Sequence, residues 1–432
     1  MVRKDLCAGS MIFMMKEYFS RLDKHNVDFK GIKTSDALMS GLAVFSLKYP
    51  SLLQFDKRNK DAKIRENLRV LYHVDHPPSD TYMRQMLDKV NPLEIKAGFK
   101  ELFTVAQRGK VLERFVYMDG HYLLSMDGTG YFSSHDVHCD SCCKKGHRNG
   151  SVTYYHQMLS AVIVHPTEKV VLPLAPEAIL NGDGAKKNDC ERNAAKRLVP
   201  EIRKDHPKMK FIVVEDGLAS NGPHIDLLKE HDMRFILGAK PDDHKWLFDW
   251  VKYSDNVEIF TYKEGKKTIT LRHLNEVPLS DSRSDLKVNF LECTEELASG
   301  KKTTFSWVTD LKITNKNVKH IMKGGRARWK IENETFNTLK TGGYNFDHNF
   351  GHGNQHLSTV LAYLMMLAFT IDQLQQTACK AFRKALEVCS DSKKMLWERL
   401  RSLFTEFPLD SWDTMFDVLH GKSRFILVPN TS

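Results

Sequence analysis

Three of the chain's acids fall where carboxylates can do chemistry. Asp127 closes the apolar run HYLLSMD (121 to 127), and Asp216 closes KFIVVED (210 to 216). The third, Glu332, lies in RWKIENETFNTLK (328 to 340). At about 100° per residue, Trp329, Phe336 and Leu339 share one arc of that helix and Glu332 falls inside it, while Glu334 faces the far side. Converging carboxylates repel unless something positive sits among them, and hard divalent cations with oxygen ligands are the usual answer. Two such ions about 4 Å apart can activate a water or a 3′ hydroxyl on one side of a phosphodiester and stabilise the leaving oxygen on the other. Taken singly, each acid has a plainer reading. An Asp before Gly after a strand is an ordinary turn residue, and Glu332 could simply pair with Arg328, one turn earlier.

A second cluster has different chemistry. HDVHCDSCCKKGH (135 to 147) packs His135, His138, Cys139, Cys142, Cys143 and His147 into one stretch. Cys139 and Cys142 form a C-x2-C knuckle, and with His138 and His147 they could hold a tetrahedral structural zinc. A lone knuckle without a second spaced pair is also what ordinary cysteines look like. Sulfur and imidazole are too soft for the ion that three carboxylates would bind, so such a zinc would pin a loop near Asp127 and take no part in the reaction.

The elements that must position these groups change along the chain. Residues 1–110 read as helical, with segments such as SDALMSGLAVFSLKYPSLLQF and SDTYMRQMLDKV that open on Ser-Asp caps. Scattered basic residues there suit a DNA-binding region or a solvated helical cap. From about 111 the pattern turns to strands. HYLLSMD is expected to end at a Gly128-Thr129-Gly130 turn, with VTYYHQMLSAVIVH (152 to 165) and KVVLPLAP (169 to 176) as further strands. A charged helix follows across KNDCERNAAKRLVPEIRKDH. The continuous apolar strand KFIVVED, buried on both faces, comes next. PHIDLLKEHD is then a helix and MRFILGA a strand. Three strands, helix, strand, helix, strand is the element order of a ribonuclease H-like α/β core: a mixed sheet flanked by helices, its first part spanning 111–238. A β-rich insertion at 239–310, without long helical patterns, separates this from 311–375, where TNKNVKHIMK resumes a helix behind an Asn315 cap and Gly324-Gly325 breaks it before the Glu332 helix. Residues 376–432 read as helical.

Composition bounds the function. With 432 residues, 41% hydrophobic, the chain can bury a large core and divide into about two to four units. A net charge of +10 favours a polyanionic partner. Five of the eight cysteines, among them Cys7, Cys190 and Cys293, are scattered singly, unlike a secreted disulfide framework. No clean leader pattern opens the chain. These features lead to the expectation of a cytoplasmic, reduced protein. LSTVLAYLMMLAFTI (357 to 371) is short for a membrane span and reads as a buried helix, so no membrane partner is expected. In the insertion, Trp307 reads as a core strand residue or as a surface on which a flipped base stacks.

SMDGTGYF, IVVEDGLASNGPHIDLL and RWKIENETFNTLK with the following GGYNFDHNFGHG resemble the DDE transposases of bacterial insertion sequences, in the branch with a long β-rich insertion before the catalytic glutamate. The resemblance covers roughly 110–375. It implies Asp127, Asp216 and Glu332 as catalytic metal ligands for two Mg²⁺ or Mn²⁺ ions, cleavage of transposon ends, and attack of the freed 3′ hydroxyl on target DNA. It also implies a homodimer assembled on DNA. Around this helix the branch carries the pattern Y-x2-R-x3-E-x6-K. Arg328 has the right spacing to Glu332, the Tyr position falls on Gly325, and the Lys position falls on Leu339 with Lys340 one residue late. Arg326, Arg328 and Lys340 are the cations expected against DNA. A nuclease that cuts without joining, and a decayed relative that only binds DNA, are the competing functions.

Overall fold

The computed structural model describes residues 6–25, 31–182, 190–388 and 392–424. Its strands are β1 (Tyr122–Ser134), β2 (Cys143–Gly146), β3 (Val152–Val164), β4 (Leu172–Pro173), β5 (Glu177–Ile179), β6 (Phe211–Glu215), β7 (Arg234–Gly238), β8 (Glu258–Glu264), β9 (Lys267–Ser280), β10 (Arg283–Leu297) and β11 (Lys302–Thr309). They join in one mixed sheet of order β2-β3-β1-β6-β7-β11-β10-β9-β8, with β4 and β5 also on β3. β1 pairs antiparallel with β3 and parallel with β6, and β6 pairs parallel with β7. That is the arrangement expected of a ribonuclease H-like core. The insertion continues the same sheet, because β11 pairs antiparallel with β7.

β6 sits at the centre for a physical reason. Every residue of FIVVE is buried, and helices cover both faces of a strand placed so. Burying each of Phe211, Ile212, Val213 and Val214 contributes roughly 1.5–3 kcal/mol, which holds the strand's end, and Asp216 beyond it, in a fixed place. The helix Leu357–Ala378 is apolar and long enough to cross a membrane by composition, and its apolar window lies wholly inside the protein. It packs against the helices Thr34–Ser46 and Pro92–Arg108. Its Asp372 meets Lys48 at 2.7 Å, both side chains buried, and Tyr344 donates to the same carboxylate. A buried pair survives only when its remaining hydrogen-bonding capacity is filled. Lys48 also reaches the carbonyls of Phe45 and Ser46 at 3.0 and 3.1 Å.

Several local expectations are corrected. β1 does not turn at Gly128-Thr129-Gly130; it runs through to Ser134, with an irregularity in its pairing to β3 between Gly130 and Phe132. Glycines inside a strand mark a bulge or a close approach as well as a turn. Of the strand expected across KVVLPLAP, only Leu172–Pro173 forms, and β5 follows it. The insertion contains a helix, Lys245–Tyr253. Ser79 caps its helix as expected, but Ser35 and Asp36 lie inside the helix Thr34–Ser46, buried, where Lys16 pairs with Asp36 at 2.7 Å. The cap before Val318–Arg326 is Asn317 in place of Asn315, and that helix passes straight through Gly324 and Gly325. A Cβ on Gly325 would stand 2.5 Å from Trp307 Nε1, so the glycine makes room for the tryptophan. Trp307 itself is only 6% exposed and stacks on Phe305, which makes it a core residue closed to any base.

Candidate active site

The parallel register of β1 and β6 matches Tyr122 with Phe211 and Ser125 with Val214. Asp127 lies two residues beyond this paired stretch, within β1, and Asp216 lies just past the end of β6. Both aspartates line one small cleft, together with Glu191 and Glu215. Asp216 is fixed by a tight turn in which the amide of Leu218 donates to its Oδ1 at 2.9 Å.

Glu332 arrives from a distorted helix. Residues Ile331–Phe336 form a π-helical segment after a turn at Ala327 and Arg328. Such segments shift the phase of one face against the next. The buried stripe is accordingly Ile331, Thr335, Phe336 and Leu339, while Trp329 is 47% exposed, contrary to the arc expected from a regular helix. Glu332 flanks that stripe on the side of Asp127. Arg328 Nη1 lies 2.7 Å from Glu332 and 3.6 Å from Asp127, so the ion pair along the helix is also a bridge to the strand acid. Ser125 Oγ donates to the Arg328 carbonyl at 3.1 Å and ties the start of this helix to β1. Glu334 looks elsewhere, acting electrostatically on Lys393.

The cleft holds one carboxylate that sequence reasoning missed. Glu191, at the first turn of the helix Glu191–Asp205, lies beside Asp127, Glu215 and Asp216 along one wall. Its side chain packs on Gly128, where an added Cβ would come within 2.1 Å of the carboxylate oxygen. The strand glycine was the available signal, since it announces the close approach of another group. Glu215 is accounted for separately by His224, whose Nε2 stands 2.6 Å away.

The electrostatics record the crowding. Burial pushes the Asp127 carboxyl up to about 7, Glu332 and Glu191 push in the same direction, and Arg328 opposes them. Glu191 is raised as well, by burial first and then by Asp216 and Glu215. An all-oxygen donor set whose charges resist being assembled suits a hard divalent cation. Among the described residues, the one group whose ligand atoms all lie within 4.8 Å of one another is a different cluster, Cys139, Cys142, His156 and His352.

The remaining expected residues divide. Arg326 is engaged by Glu295 of β10 and lies 4.5 Å over the ring of Phe305, so it faces the insertion. Lys340 is at the surface, 3.6 Å from Asp347. His138 and His147 do not join the cysteines. His138 stacks on Tyr154 and its Nδ1 lies 3.0 Å from the Asp136 carbonyl, while His147 Nε2 lies 2.7 Å from Thr153 Oγ1. Their places are taken by His156 from β3 and His352 from the segment before the helix Leu357–Ala378.

No protein-family model and no curated protein matches the sequence. Among solved structures, the chain is similar to piggyBac transposase in a synaptic complex with hairpin DNA, over 99% of this chain and 86% of that one, at 13% identity and a TM-score of 0.41. Identity and score this low leave the functional reading to the side chains themselves.

Proposed function

We propose that this chain is a DDE-type transposase that cleaves DNA at the ends of a mobile element and joins the freed 3′ ends to target DNA. The observation that supports it is that Asp127 and Asp216 line one cleft beside the β1–β6 pair, with Arg328 Nη1 2.7 Å from Glu332 and 3.6 Å from Asp127. Two Mg²⁺ or Mn²⁺ ions bound by these three carboxylates would supply activation of a water or 3′ hydroxyl and stabilisation of the leaving oxygen. Arg328 aims Glu332 at the strand acids. Asp127, with its carboxyl raised to about 7, holds a proton near neutrality that must leave before it can act as a ligand. The net charge of +10 suits a DNA partner. Two copies on the DNA are proposed because two ends must meet.

The bacterial insertion-sequence branch is the finer part of the proposal. Gly325 stands at its tyrosine position and packs under Trp307, and Leu339 stands at its lysine position and is buried. The tyrosine and lysine of that branch's pattern are therefore absent here, and exposed Lys340 is the cation one residue beyond its lysine position. The test uses the DNA flanking the protein's own gene, as an intact duplex and as a pre-cut end, with a supercoiled target and Mg²⁺. Joined product from the pre-cut end supports the transposase. Cutting without joining would make the chain a nuclease, and binding alone would make it a decayed relative.

A further inference from the structure

We infer that Cys139, Cys142, His156 and His352 bind one structural Zn²⁺. Cys139 Sγ and Cys142 Sγ are 3.9 Å apart, and His156 Nε2 and His352 Nε2 are 3.2 Å apart. The sulfur-to-nitrogen separations are 3.5 Å from Cys139 to His156, 3.3 Å from Cys142 to His156 and 3.2 Å from Cys142 to His352. Zinc in a tetrahedral site takes sulfur at about 2.3 Å and nitrogen at about 2.0–2.1 Å, so its ligands stand about 3.8 Å apart sulfur to sulfur and about 3.3 Å nitrogen to nitrogen. The four atoms already mark the corners of that tetrahedron.

Hydrogen bonding within the cluster satisfies these atoms less well than a cation would. His352 Nδ1 lies 2.9 Å from the Gly353 carbonyl, which places its proton there and turns the Nε2 lone pair inward. His156 Nε2 then faces two sulfurs and that lone pair. One N–H satisfies one of the three and the thiols are weak donors, whereas a cation satisfies all. The two cysteines are free thiols. Cys143, next in sequence, is not a fifth ligand, because its Sγ points to the Ile179 carbonyl at 3.7 Å. Softness and geometry both select zinc over the hard ions suited to the carboxylates.

The four ligands come from three separate pieces of the fold. His156 comes from β3, beside the irregular stretch of β1 at Gly130–Phe132. The cysteines come from the loop before β2. His352 comes from a segment whose amides at Asn354, Gln355, His356 and Leu357 all donate to Asp88 at 2.9–3.0 Å. Gly353 has φ of 69°, and a Cβ there would meet the Asp88 carboxylate at 2.2 Å. His352 is separated from His156 by 196 residues and from Cys142 by 210. The zinc thus fastens the β1–β3 pair, which carries Asp127, to the segment that follows the Glu332 helix.

Elemental analysis of the full-length protein, made in zinc-containing medium and freed of loosely bound metal, tests this. One zinc per chain is expected, with an X-ray absorption shell of two sulfurs and two nitrogens. Cys142→Ser and His352→Ala should each lower zinc content at least ten-fold, while His138→Ala and His147→Ala keep one equivalent. Should the ligand variants fail to fold, the absorption shell of the unaltered protein still decides. A zinc-free protein, a shell without two sulfurs, or loss of zinc on His138→Ala or His147→Ala would overturn the proposal.

Discussion

The carboxylate cleft and the Cys/His cluster lie at neighbouring places on the same strand pair, yet they treat charge in opposite ways. In the cleft, Asp127, Glu191 and Asp216 lie together beside Arg192, with Glu332 and Arg328 acting on Asp127 from the neighbouring helix, and Asp127 and Glu191 are held above their usual range. In the cluster, four soft ligands meet at zinc spacing, and three of the four, Cys142, His156 and His352, are buried. The first arrangement costs the fold stability and, on the proposed reading, would take hard ions and substrate. The second would close on a zinc and contribute stability. On these proposals, reactive and structural metal chemistry are separated by ligand type within one sheet.

The largest effect expected from this contrast is on stability. Structural zinc in small domains binds with about 10 kcal/mol or more, much of it folding free energy. A strong zinc chelator should therefore lower the melting temperature by about 10 °C or more, and excess Mg²⁺ should not restore it. Unchanged melting would erase the distinction between the two sites.

The cleft should respond with the opposite sign. Asp127 is an acid whose folded pKa, about 7, lies above its unfolded value. Below the unfolded carboxyl range both states are protonated and nothing is lost. As pH rises towards about 7 the unfolded chain ionises first, so stability falls, and above 7 the full penalty remains. Asp127→Asn should then stabilise the metal-free protein by about 1–2 kcal/mol at pH 8, after allowance for partial exposure, and have little effect at pH 3. Denaturant unfolding at the two pH values checks it. By the same titration, Mn²⁺ affinity at the cleft should strengthen as pH rises through about 7; a flat profile would mean that Asp127 is not a ligand.

The smallest effects concern the surface cations. Lys340→Ala should reduce the salt dependence of DNA binding by about one phosphate contact. Arg326→Ala should leave that slope unchanged, because Arg326 is occupied by Glu295 and Phe305. Its removal should cost about 1 kcal/mol of stability at most. Equal slopes for the two variants would undo the assignment of their faces.

What the sequence reveals and what it hides follow the range of the signal. KFIVVED announces a central strand because its apolar run is continuous, and Asp216 is readable as a strand-end acid on that basis; Asp127, expected at a strand end, sits inside β1 because the strand continues to Ser134. The π-helical stretch from Ile331 is not readable, since a regular period predicts Trp329 inside and it lies outside. The proposed zinc ligands show the same limit. Cys139 and Cys142 are local and visible, whereas His156 and His352 join them only through tertiary contact, and nearer histidines were the natural but wrong partners. Glu191 looks like any acid at a helix start; only Gly128 opposite hints at its closeness.

Glu332, with Asp127 and Asp216, is proposed to form the reactive site, while Glu334 on the same helix is not. Mg²⁺-dependent cleavage of end DNA should be compared for the unaltered protein, Glu332→Gln and Glu334→Gln under identical conditions. The account predicts a loss on the order of 10³-fold for Glu332→Gln and a change within about three-fold for Glu334→Gln. Equal activity in all three would contradict it, and would leave the Arg328 bridge between helix and strand as a purely structural tie.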